Sequence, residues 1–382
     1  MKVGILTLPL WNNYGGILQA FALREAVSRI GHQSVFIDVQ RKKLPLRSRF
    51  IRTLKRYIKA NFVYNSDSPY YPNKKELALI SEHTRSFVEQ FIVPALNNVT
   101  YDRLAKSCMH LDAIIVGSDQ IWRPEYSPNI YSYFLDFVSD DVKKISYAAS
   151  LGTSDWRFNA EQTKVCKQLL ANFDSVSVRE DSSVELVSKH LGVLAEWVCD
   201  PTLLLEKQDY VSLIPSTENL SVAKKSCFFY VLDSNADRVK DLTQLIEKAE
   251  YRPFQIMPRT FDKYFKKQKK EYLFPPVEHW IASFQTCELV VTDSFHGCIF
   301  SIIFNKPFIA IANEDRGRAR FESLLGSFGL LNRLVNNTTE INADLLDEDI
   351  DWNSVNMRRE LMLDKGYSFL RESLREVERE SE

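Results

Sequence analysis

The chain of 382 residues has 45% hydrophobic and 26% charged side chains, enough for two domains with separate cores in a globular protein. Its formal net charge of -1 excludes a general nucleic-acid binder, which needs a strong positive field, so nucleic acid is not an expected partner. Six cysteines, Cys108, Cys166, Cys199, Cys227, Cys287 and Cys298, form no C-x-x-C pair. They are expected as buried reduced thiols, outside any disulfide framework or metal site.

The amino terminus, MKVGILTLPLW, reads as a strand at residues 3–8 and not as a signal peptide, since no small-residue cleavage pattern follows. No run reaches the ~20 apolar residues of a membrane span, and a cytoplasmic location is expected. After the strand comes PLWNNYGG, a helix at 17–30 stopped by Gly31, and a strand at 35–39. Asn12, Asn13, Gly15 and Gly16 thus occupy the loop at the carboxyl end of the first strand. Two readings stand there, a ligand loop in which glycine permits close backbone approach and a tight strand-to-helix turn.

Residues 41–59 contain nine Lys or Arg and no acid, with Phe50, Ile51, Leu54 and Ile58 at helical spacing. Such a segment either rests peripherally on an anionic membrane surface, at the inner face of the cytoplasmic membrane, or packs its stripe on its own domain. A loop at 64–72, a helix at 75–91 and a polar link precede a helix-like stretch at 102–106. Then 113–116 is a buried strand, with Gly117, Ser118, Asp119, Gln120 and Trp122 at its carboxyl end. Polar groups beside an aromatic face suit a sugar, and this reading is preferred to a capped turn by its place at the strand end.

Strands follow at 145–149 and 176–178, separated by a helix at 160–173. Arg179 stands at the second strand's end, where a guanidinium can clamp a carboxylate or phosphate or pair with Glu180 or Asp181. A helix at 182–191 closes on Gly192. EWVCDPTLLL reads as a strand and an Asp200-Pro201 turn, after which the composition becomes polar and a domain boundary is placed. The pattern restarts with a strand at 227–232, a helix at 237–251, a strand at 254–257 and a helix at 277–285. Next come a strand at 289–292, the polar turn Asp293, Ser294, Phe295, His296, Gly297, a helix at 298–304 and a strand at 308–311. The unpaired N–H groups of a helix start suit an anion, and Arg316, Arg318 and Arg320 follow closely. A last helix, about 354–378, is long enough to cross back to the first domain. The expected division is 1–206, 207–350 and a crossing segment 351–382.

Together these stretches resemble the polysaccharide pyruvyl transferase family. The similarity lies in the early glycine loop with LQAFAL behind it, GSDQIW, SVRED, CDPTLLL and above all VTDSFHG with FNKPFIAI behind it. It implies an α/β protein of two Rossmann-like domains facing across a cleft, as in glycosyltransferase-B folds. It also implies transfer of the carboxyethylidene group of phosphoenolpyruvate (PEP) to two hydroxyls of a sugar, in a cell-surface polysaccharide or its lipid-linked precursor, with release of phosphate. No cofactor is implied beyond PEP as donor. One departure is that NNYGG lacks the aspartate of the G-N-x-G-D loop that many members carry.

On this resemblance, His296 is the expected general acid/base, because histidine exchanges protons near neutral pH. Asp119 is the expected base on the sugar side, and Arg179 a catalytic cation. PEP needs several fixed positive groups, supplied by Arg179, the turn Ser294, Phe295, His296, Gly297 and one of Arg316, Arg318 or Arg320. Asp293 and Ser294 are expected to orient the turn or cap the helix. The acceptor side comprises Asn12, Asn13, Gly15, Gly16, Ser118, Gln120 and Trp122. Two other functions fit the sequence: a glycosyltransferase using a nucleotide sugar, and a non-catalytic glycan- or lipid-binding protein of envelope assembly.

Overall fold

The computed structural model describes residues 1–39, 72–127, 129–216, 224–233, 236–262, 264–312 and 317–375. The basic run 41–59 and Arg316 lie outside the described residues. Seven strands build the first sheet: β1 Lys2–Leu6, β2 Gln33–Val39, β3 Ala95–Val99, β4 Ala113–Val116, β5 Lys143–Ala149, β6 Ser175–Val178 and β7 Glu196–Trp197. A second sheet holds β8 Ser226–Tyr230, β9 Arg252–Phe254, β10 Leu289–Thr292, β11 Phe308–Ile311 and β12 Leu334–Val335. The orders are β3-β2-β1-β4-β5-β6-β7 and β12-β11-β10-β8-β9, and every described pairing is parallel.

Parallel strands are covered by helices on both faces, so their sequences are nearly continuous apolar runs. AIIV of β4, LVVT of β10 and FIAI of β11 are such runs, buried at every position. Strand β3, in a stretch expected as a polar link, carries Asn97 and Asn98 because it is an edge strand that pairs only with β2. The helix expected at 75–91 is divided at Ser81 into Lys74–Ile80 and Glu82–Phe91. All six cysteines are free and buried.

The two sheets present their carboxyl edges to each other. One apolar cluster runs through both halves, joining Ile17, Leu203 and Leu204 to Trp280, Phe300 and Leu370. The first helix begins at Tyr14, not at residue 17, so Gly15 and Gly16 lie in its first turn and not in the preceding loop. Tyr14 itself enters the second half, stacked on Trp280 at 5.7 Å and donating its hydroxyl to the Pro275 carbonyl at 2.9 Å. Helix Trp352–Ser373 returns to the first sheet, where a Cβ on Gly366 would lie 2.6 Å from both Leu204 and the Tyr147 hydroxyl. Between β9 and helix Val277–Thr286 an insertion folds onto helix Lys74–Ile80, burying Phe265 and Tyr272 with Ile80. The Phe274 N–H there donates to the Ile80 carbonyl at 3.0 Å.

Candidate active site

Strand β10 ends at Thr292, and the chain turns at once into helix Phe295–Ile303. The helix begins earlier than residue 298, so His296 sits in its first turn. Several contacts fix that turn. Asp293 accepts from the Leu232 and Asp233 N–H groups at 2.6 and 2.9 Å, tying it to the loop after β8. Ser294 Oγ accepts from the Gly297 N–H at 3.4 Å, as a cap does. A Cβ at Gly297 would stand 2.1 Å from Thr292 Oγ1, so only glycine lets the helix pack this tightly on its strand.

From the first domain, β6 delivers Arg179. Its N–H donates to the Ala149 carbonyl at 3.2 Å and its own carbonyl accepts from Trp197 Nε1 at 3.0 Å. The guanidinium is buried, 4.4 Å over the Phe295 ring, with Nη1 donating to Asp200 Oδ2 at 2.9 Å and Nε 3.5 Å from Glu180. Nη2 is buried with no hydrogen-bond partner among the described residues. Arg320, the second residue after Arg318, brings its guanidinium to 5.6 Å from the same ring. Burial, and then repulsion from Arg179, push its pKa down to about 10.

Asp200 joins the two halves. Its Oδ1 accepts from the Thr202 N–H at 3.0 Å and hydroxyl at 2.6 Å, and Oδ2 from Ser118 Oγ at 3.1 Å. That same Oδ2 lies 3.6 Å from His296 Nε2, too far for a hydrogen bond but within strong electrostatic reach. Burial alone would raise the carboxyl's pKa. The opposing pull of His296, then Arg179 and Thr202, holds it well below the usual carboxylate range. On its other side the His296 ring rests on Gly15, where a Cβ would stand 2.1 Å from Nδ1.

The expected site residues thus divide. Arg179, Phe295, His296, Arg320 and Ser118 come together with Gly15, and Asp119 is near enough for its charge to act on both guanidinia. Asp119 is half-buried, with Oδ1 accepting from the Gln120 N–H at 2.8 Å. Trp122 presents no aromatic face to the cleft: it is fully buried, stacked on Phe134 at 4.9 Å, with its indole N–H donating to the Tyr133 carbonyl. A strand end can send a side chain into the core as readily as into a cleft, and an indole with one internal acceptor is stable there. Arg318 is engaged by Glu322 at 2.7 Å. Gln120 accepts from Arg123 at 3.1 Å, Asn12 from Thr84 at 3.0 Å, Asn13 is exposed, and Gly16 is buried beside the Asn13 side chain. Sequence reasoning missed Asp200, reading it as a turn residue. The signal available was a carboxylate at the carboxyl edge of a parallel sheet. Among the described residues no group of three or more His, Cys, Asp or Glu is placed to hold a metal ion.

A family model described as polysaccharide pyruvyl transferase matches residues 13–315. No curated protein matches the chain. Among solved structures, an Arabidopsis thaliana protein crystallised with UDP-L-rhamnose is 12% identical at a TM-score of 0.51, with 97% of each chain covered. A UDP-GlcNAc 2-epimerase from Methanocaldococcus jannaschii is 11% identical at 0.44, covering 95% of this chain and 93% of its own. An alpha-glucosyltransferase in complex with UDP is 9% identical at 0.47, covering 98% and 96%. At such identities the likeness concerns the fold alone, two Rossmann-like domains of glycosyltransferase-B type. The family match spans well over half of the sequence and includes Arg179, Asp200 and His296, and the chain belongs to the polysaccharide pyruvyl transferase family.

Proposed function

We propose that the protein transfers the carboxyethylidene group of PEP onto two hydroxyls of a sugar, in a cell-surface polysaccharide or its lipid-linked precursor. The observation that carries this reading is the pair of buried guanidinia, Arg179 and Arg320, flanking Phe295 at the start of a nine-residue helix. Arg179 Nη2 is buried with no hydrogen-bond partner among the described residues, which leaves a donor for an anion, and the helix start adds its own partial positive charge. PEP carries both a phosphate and a carboxylate to fill that place. Ser294 and Gly297 shape the helix start, and Arg316 is a further cation for the donor.

In the reaction, one acceptor hydroxyl adds to C2 of PEP while a proton reaches the methylene, which becomes a methyl group. The second hydroxyl then forms the other C–O bond at C2 as the C–O bond to phosphate breaks, and its proton leaves with phosphate or a base. His296 exchanges the proton on the donor side, with Asp200 orienting its ring, and Asp119 takes the proton from the sugar. No metal or cofactor takes part in this reading. Asn12, Asn13, Ser118 and Gln120 lie on the acceptor side with Gly15 and Gly16, and Gly15, in the first turn of helix Tyr14–Arg29, leaves room for the His296 ring. The basic run 41–59 would hold the protein peripherally at the inner face of the cytoplasmic membrane, near a lipid-linked acceptor.

The nucleotide-sugar reading draws on fold alone, which does not fix chemistry. Thermal unfolding separates the two, because a ligand of the native state raises the melting temperature. PEP should raise it and UDP-glucose should not. A shift with UDP-glucose and none with PEP sinks the proposal.

A further inference from the structure

In the insertion between β9 and helix Val277–Thr286, Lys266, Lys267, Lys269 and Lys270 are all exposed. The two acids of that insertion, Asp262 and Glu271, are both taken up by Arg259, at 2.8 and 3.3 Å. Counting Arg259 and the five lysines of residues 255–276 against these two acids, the insertion keeps a net charge of +4. It is also held in place, because Phe265 and Tyr272, on either side of these lysines, bury against Ile80. The helix that supplies Ile80 opens with Lys74 and Lys75, likewise exposed. Lysines from both domains thus flank one small apolar cluster.

The location gives this charge a direction. Strand β9 feeds the insertion, and Phe274 within it lies 6.1 Å from the Tyr14 ring. Tyr14 opens helix Tyr14–Arg29 beside Gly15, on which the His296 ring rests, so the insertion stands next to the interdomain site. Tyr264, 44% exposed, stands among the lysines and offers the amphipathic ring that suits a headgroup layer.

We infer that this lysine face, shared by both domains beside the interdomain site, docks on an anionic lipid bilayer. A net charge of -1 leaves the rest of the surface without the broad positive field on which nucleic-acid binding draws, and this favours the bilayer. Docking would bring the interdomain site to the membrane, where a lipid-borne acceptor could enter without leaving the bilayer. The surface is additional to the run 41–59, and its binding stands or falls whatever reaction the cleft performs.

The test is flotation of the full chain with phosphatidylcholine vesicles, with and without phosphatidylglycerol. Wild type should float only with the anionic vesicles. The combined variant Lys266→Gln, Lys267→Gln, Lys269→Gln, Lys270→Gln should lose affinity for them by about tenfold or more, at an unchanged melting temperature. A control with Lys164→Gln, Lys167→Gln and Lys189→Gln, exposed on helices of the first domain, should bind as wild type does. Equal loss in the control, undiminished binding by the first variant, or equally tight binding of duplex DNA would overturn the inference.

Discussion

His296 belongs to the second domain and Asp200 to the first, and Nε2 of one lies 3.6 Å from Oδ2 of the other with both side chains shut away from solvent. The carboxylate that faces the imidazole also holds Arg179 at 2.9 Å. The Arg179 guanidinium and the His296 imidazole thus share one oxygen atom, and any disturbance of Asp200 reaches both.

Replacing Asp200 with Asn keeps the shape and an acceptor for Thr202 but leaves Arg179 with only the more distant Glu180. Loss of one member of a buried pair is costly, and Asp200→Asn should destabilise by about 3 kcal/mol. The pH dependence has a definite sign. The folded carboxyl ionises well below its unfolded value, so its stabilisation is complete above about pH 4 and is lost as pH falls through the lower folded value. Chemical denaturation across an acid series should show the gap between wild type and variant closing below about pH 4.

Gly15 is the surface on which the His296 ring rests, and a methyl group there would overlap Nδ1. Gly15→Ala should shift the ring or part the domains, destabilising by about 1–3 kcal/mol and lowering kcat. The neighbouring Gly16→Ala meets only the Asn13 side chain, at 3.1 Å. Because Asn13 is exposed and can move, that variant should keep near wild-type kcat and stability, and steady-state kinetics with a melting curve compares the two.

Arg320 lies beside Arg179, and burial and that neighbour hold its pKa down. Arg320→Gln should weaken PEP binding about 10–100-fold, the worth of one hydrogen bond to a charged group. Calorimetric titration with PEP checks this.

Trp122 lies in the core of the first domain. Trp122→Phe should cost about 1–3 kcal/mol through the lost hydrogen bond to the Tyr133 carbonyl and poorer packing. KM for the sugar acceptor should stay unchanged, which a role as an acceptor platform would not allow.

Much of this arrangement was legible in the chain because the relevant signals are local. Apolar runs ending in polar turns located the carboxyl edges of both sheets, and with them Arg179, Ser118 and the His296 turn. Helix geometry could have chosen among the arginines: residues 318 and 320 are about 200° apart on a helix, so only one can face the cleft. Asp200 was hidden because an Asp-Pro pair signals a turn, while one of its partners, Ser118, lies 82 residues away. Burial of Trp122 was equally out of reach, since no spacing rule says which side of a strand end its aromatic ring will take. Edge strand β3 escaped because a strand with only one neighbour needs less apolar sequence than a central one.

Ketal transfer by His296→Gln bears most directly on the cleft chemistry. With purified protein, PEP and a panel of synthetic or lipid-linked glycosides, acceptor-dependent phosphate release should be seen for wild type. It should fall about 10²–10⁴-fold in kcat for the variant, at a melting temperature close to wild type. A folded His296→Gln protein that ketalates its acceptor at near wild-type rate would contradict the role given to His296.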